Sequence, residues 1–170
     1  MAKSETTKQK KESACSFRSQ IDYITVGLPF AAFKILFALA LLRAQSGLFA
    51  TSVAYALIAL GVIDLTLNLL NSLSCLLLKK SITPVCFFAS ALALFSRKRS
   101  YDAPQHARHI DLGMALDVML SFILVALCLA LQYLKYFNST ELWTWNVAVI
   151  FNVLGAGIQR LLTSLQKEDR

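Results

Sequence analysis

Four long apolar runs, with the positive charge gathered on one side of them, constrain this chain more than any other feature. A helix needs about 20 mostly apolar residues to cross a bilayer core about 30 Å thick. Four segments reach that length, roughly 24–42, 48–70, 111–134 and 142–163. A single span in lipid must satisfy its own backbone hydrogen bonds, so each is expected to be an α-helix. The short alternating strands of a membrane barrel are not in the sequence. The expected fold is an all-α membrane protein, a four-helix transmembrane bundle. Composition agrees: 56% of the residues are hydrophobic and 16% charged, against about 45–50% and about a quarter in a soluble domain.

The basic residues set the expected direction. Lys3, Lys8, Lys10, Lys11 and Arg18 lie before the first run; Lys79, Lys80, Arg97, Lys98, Arg99 and Arg108 lie in the central connection; Arg160, Lys167 and Arg170 lie at the other end of the chain. Only Arg43 and Lys135 flank the two short opposite loops, and Lys34 lies inside a span. Positive loops resist translocation, so both termini and the 79–110 loop are expected in the cytoplasm. The net charge of +7 then serves topology and attraction to anionic phospholipid headgroups, with Lys79, Lys80, Arg97, Lys98, Arg99 and Arg108 as the contacts to lipid or partner. Nucleic acid is not expected as a partner, because these residues sit on no folded soluble module.

Residues 1–22 read as a basic, flexible cytoplasmic tail, 23–165 as one transmembrane domain and 166–170 as a cytoplasmic end. The tail has no apolar stretch ahead of a cleavage site, so the first span is expected to be retained. Residues 83–96 are harder. Thr83 and Pro84 suit a helix start, and Arg97, Lys98 and Arg99 suit its negative end. The apolar run is short for a crossing, and a full crossing would carry the basic cluster outside. A re-entrant or interfacial helix is expected, with a fifth, thin span as the alternative.

Trp143, Trp145, Tyr133 and Tyr136 are expected as an aromatic belt at the outer boundary. Asn138-Ser139-Thr140 matches a glycosylation triplet but lies close to two helix ends, and it reads as a turn. The four cysteines have neither CxxC nor metal spacing. Cys15 and Cys75 lie near the expected cytoplasmic boundary, where palmitoylation occurs.

The spans hold more polar residues than anchoring needs. Residues three, four and seven apart share a helix face, and four such faces can be drawn: Gly27, Ala31, Lys34, Ala38 and Gln45; Ala50, Ala54, Gly61, Asp64, Asn68 and Cys75; Gly113, Asp117, Ser121, Cys128 and Gln132; Ala148, Asn152, Gly155, Gln159 and Thr163. Small and polar stripes are how helices pack in lipid. A charge near the bilayer centre costs about 2.5–3.5 kcal/mol on insertion scales, so Lys34, Asp64 and Asp117 are expected to meet. The expectation is one buried network of Lys34, Asp64, Asn68, Asp117, Asn152 and Gln159. Two carboxylates and one ammonium cannot all be charged and paired in a dry site, so one aspartate carries a proton, or water or a cation enters.

His106 and His109, near Asp102 and Asp111, are weak metal candidates and read as a solvated loop pair. No nucleophile elbow, phosphate loop or HExxH is present, and no cofactor is expected. The foremost expectation is a non-catalytic subunit or scaffold, acting as a homo-oligomer or with another membrane protein. The alternatives are a small ion or proton transporter subunit using the Lys/Asp cluster, and a lipid-modifying enzyme at the cytoplasmic face.

Overall fold

The structure, a computed structural model, describes residues 21, 23–44, 47–78, 86–98 and 103–168. Almost all of them are helical, and none is in a strand. A π-helical turn, Tyr23–Gly27, leads into α1, Leu28–Ala44; α2 is Leu48–Leu78, α3 Phe87–Lys98, α4 Ala103–Ala130 and α5 Ser139–Glu168. A 3₁₀ turn, Tyr133–Tyr136, joins α4 to α5. Four helices are long and apolar enough to cross a membrane: Tyr23–Ala44, Leu48–Leu78, Asp111–Ala130 and Ser139–Ile158.

The centre of the bundle is α1. It packs against α2, α4 and α5, and α3 lies along α4. Lipid tails are as apolar as leucine, so burial alone gives these helices little reason to associate. Close packing has to do it. Phe30, Phe33, Leu36, Phe37 and Leu41 of α1 are all buried among Ala54 and Leu57 of α2, Leu124 and Cys128 of α4, and Trp145 and Ala148 of α5. At the α1–α2 crossing there is no room for a side chain at Gly61: a Cβ there would stand 3.0 Å from the Ala31 carbonyl oxygen. On α2 the buried residues are Ala54, Leu57, Gly61, Asp64, Asn68, Asn71, Ser74 and Cys75, a single stripe. Leu69, Leu70, Leu73, Leu76 and Leu77 are exposed on its other sides.

Several boundaries differ from the sequence expectation. The second helix runs to Leu78 rather than 70, because Asn71 and Ser74 interrupt the apolar run without leaving the buried stripe. The third ends at Ala130 rather than 134: Gln132 adopts a left-handed conformation, φ 55°, and is exposed rather than part of an inward face. Trp145 and Tyr133 are core residues, 4% and 8% exposed, while Trp143 is 67% exposed. Two residues apart on a helix point to nearly opposite sides, so Trp143 and Trp145 could not both face lipid. Residues 1–20, with the tail assigned to them, and the proposed helix start at Thr83 and Pro84 lie outside the described residues.

The short-loop end is tied by side chains. Arg43 donates from Nη1 to the Tyr136 carbonyl at 2.8 Å and to Glu141 Oε2 at 2.5 Å, and from Nη2 to Glu141 Oε1 at 2.7 Å. Asn138 caps α5: its Oδ1 accepts from the Glu141 N–H at 2.8 Å, and Glu141 Oε2 accepts from the Asn138 N–H at 2.9 Å. This is a reciprocal capping pair, so the turn expected at Asn138 is a helix cap.

Candidate functional site

Lys34 stands midway along Tyr23–Ala44, Asp64 midway along α2 and Asp117 midway along α4. Three helices thus each bring a charge from within an apolar run. The Lys34 ammonium donates to Asp64 Oδ2 at 2.5 Å and to Asp117 Oδ1. The Lys34 side chain is 0% exposed, that of Asp64 2% and that of Asp117 10%. Lys34 falls where α1 is enclosed by α2 and α4, so its four-carbon stem fills core space and its charge cannot reach water.

A fourth element completes the cluster. The N–H of Phe87, first residue of α3, donates to Asp64 Oδ1 at 2.6 Å. The first N–H groups of a helix lack partners within it, and that end carries about half a positive charge. Asp64 supplies the partner. The contact also sets where α3 begins. α2 ends at Leu78, yet α3 starts beside Asp64, 14 residues back, about 21 Å at 1.5 Å per residue. The helix then runs antiparallel to α4, and Ala89 lies against Gly113 so closely that a Cβ on Gly113 would come within 2.6 Å of the Ala89 backbone. Cys86 Sγ contacts the Gly113 carbonyl oxygen at 3.8 Å.

Other expected members stand apart. Asn68 is 1% exposed and donates to the Asp64 main-chain carbonyl at 2.8 Å, not to its carboxylate; its Oδ1 has no partner. The Nδ2 of Asn152 is buried and likewise without a partner, so α5 does not join the cluster through it. The reason is geometric: α5 reaches α1 through Ala148 and Trp145, beside Phe33 at 4.9 Å, and α4 covers the Lys34 face. The Gln159 side chain lies outside the described residues, as do Lys79, Lys80 and Arg99 and the side chains of Arg97, Lys98, Arg108, His106 and His109. Cys86 and Cys128 are free and buried. Cys75 is disulfide-bonded, so its sulfur is not free for the palmitoylation considered as a possibility from the sequence.

Sequence reasoning missed Asn71, 0% exposed, although it lies seven residues beyond Asp64 on the same stripe. It missed the Phe87 N–H too, because a main-chain donor has no residue signature. No family model, curated protein or solved structure matches the chain.

Proposed function

We propose that this is a multi-pass integral membrane protein, with both termini and the 79–110 connection in the cytoplasm, acting without catalysis as an assembly or partner-binding subunit. The observation that carries the reading is the enclosure of Lys34. Its ammonium is held between carboxylates of two other helices and is wholly buried. A charge sealed in this way holds helices in register rather than meeting a substrate. Exclusive pairing of this kind is best attested as a specificity device. The leucine face of α2 and the exposed Trp143, Val153 and Leu161 of α5 are left for lipid or for a second membrane protein. Lys79, Lys80, Arg97, Lys98, Arg99 and Arg108 would meet anionic headgroups on the cytoplasmic side.

Affinity purification in mild detergent, followed by mass spectrometry and by mass determination of the complex, tests the subunit reading. A stoichiometric membrane partner or a defined homo-oligomer supports it; a lone monomer that moves ions in vesicles contradicts it. Labelling of single cysteines placed near residue 10 and at Arg97 tests the layout, which requires both to be reached from the cytoplasm. Disulfides persist in oxidising compartments, so a Cys75 that is oxidised in cells would count against the cytoplasmic placement of this end of α2, and a reduced one would support it.

One observation favours a transporter subunit as the second reading. The cluster holds two carboxylates to one ammonium, and a helix N-terminus points into it from within the bundle. Intramembrane ionisable groups and half-helix termini recur along ion and proton routes. Proton flux into vesicles that is abolished by Asp64→Asn would establish this reading in place of the first.

A further inference from the structure

The two aspartates of the cluster are not equivalent, and the difference assigns a proton. Asp64 accepts from two donors, Lys34 at Oδ2 and the Phe87 N–H at Oδ1. The second of these brings the positive end of α3 with it. Asp117 accepts from Lys34 at Oδ1 alone, and its Oδ2 accepts no hydrogen bond among the described residues. The neighbouring donors do not make up the difference. Ser121 Oγ donates to the Asp117 main-chain carbonyl at 2.9 Å, and Cys86 Sγ faces the Gly113 carbonyl.

With all three groups charged, the site would hold an excess negative charge in apolar surroundings. A hydrogen bond to the ionised form of a carboxyl favours that form, and a nearby like charge opposes it. The like charge, mutual between the two, leaves one of them neutral, and the extra donor selects Asp64 as the anion. Asp117 loses little by being neutral, since Oδ1 still accepts from Lys34 while Oδ2 carries hydrogen. We infer that the cluster binds one exchangeable proton, held on Asp117 Oδ2, while Asp64 remains ionised against Lys34 and the start of α3. The titratable groups facing Asp117 are Lys34 from α1, Asp64 from α2 and Cys86 at the entry to α3; α5 adds none among the described residues. This goes beyond the subunit reading and stands on the donor geometry alone, so it holds whether or not a partner is found.

The test is infrared spectroscopy of the full-length protein in lipid nanodiscs at neutral pH, paired with detergent unfolding of two variants. Among the described residues Asp111 is exposed and Glu141 is paired with Arg43, so a protonated-carboxyl C=O band that disappears in Asp117→Asn is assigned to the cluster. The wild type should show that band. Asp117→Asn copies the neutral side chain; it should remove the band and leave the unfolding midpoint close to that of wild type. Asp64→Asn removes the anion that Lys34 and α3 require and should lower the midpoint clearly. Three results would overturn the assignment: no band in the wild type, which means a fully ionised cluster; a band that survives Asp117→Asn; or an Asp117→Asn variant that unfolds more readily than Asp64→Asn. Failure of Asp117→Asn to fold belongs with the third.

Discussion

Lys34→Met removes the one cation from the cluster while keeping a side chain of similar length. Methionine is flexible enough to fill the channel the lysine stem occupies, so packing is largely preserved and the electrostatic consequence is isolated. What remains is a carboxylate at Asp64 and a carboxyl at Asp117, 1% and 7% exposed as whole residues. Removing one partner of a buried pair typically costs about 3–5 kcal/mol, because the other charge is left uncompensated. Here the ammonium serves two carboxyl groups. The Phe87 N–H still offers Asp64 one donor, which favours the lower half of that range. Even about 3 kcal/mol is roughly two decades in the folded-to-unfolded ratio at about 1.36 kcal/mol per decade. The assay is unfolding by SDS in mixed micelles, followed by the fluorescence of Trp145, which is buried beside Phe33 and Phe137 at 4.9 and 5.6 Å. The midpoint should fall well below that of wild type. An unchanged midpoint with unchanged Trp145 emission would refute the reasoning, since it would mean that Lys34 does not compensate the aspartates.

Two further predictions concern the ends of the bundle. Gly113→Val would push a Cβ into the backbone of Ala89, which cannot rotate away; overpacking of this sort costs about 1–3 kcal/mol. It should detach α3 from α4 and raise the alkylation rate of the buried Cys86, and an unchanged rate would show that α3 is not held there. Arg43→Ala should have only a small effect on stability, diminishing further in high salt, because the Arg43 side chain is 42% exposed and ion pairs in water contribute little. A large, salt-independent loss in the same SDS assay would contradict that.

Much of this architecture is legible in the sequence, for reasons particular to lipid. A polar or small residue in an apolar run has to face another helix, so the spacing of Gly61, Asp64, Asn68 and Cys75 marks the buried stripe of α2 directly. Likewise Gly113, Asp117, Ser121 and Cys128 mark that of α4. The same logic fails for α1. Phenylalanine, leucine and alanine suit lipid and core equally, so nothing in the pattern says that this helix is enclosed and the others are not. It fails for Trp143 and Trp145 as well, where residue type suggests a belt and helix phase decides which ring enters the core. Asn152 has the right spacing on α5, but spacing fixes a face and not the depth or neighbour of that face. The placement of α3 is only half legible. Its shortness sets it apart from the four long apolar helices, whereas its meeting with Asp64 depends on a main-chain N–H that any residue but proline at position 87 would supply.

The most direct measurement of the central claim, that Lys34 and Asp64 stabilise the bundle by pairing with each other, is a double-mutant cycle in the SDS unfolding assay. It compares Lys34→Met, Asp64→Asn and the combined variant with wild type. Residues in contact through a buried pair show coupling of about 0.5–3 kcal/mol, so the combined variant should be destabilised by clearly less than the sum of the two single changes. Strict additivity would mean that the two side chains act independently, and it would contradict the account.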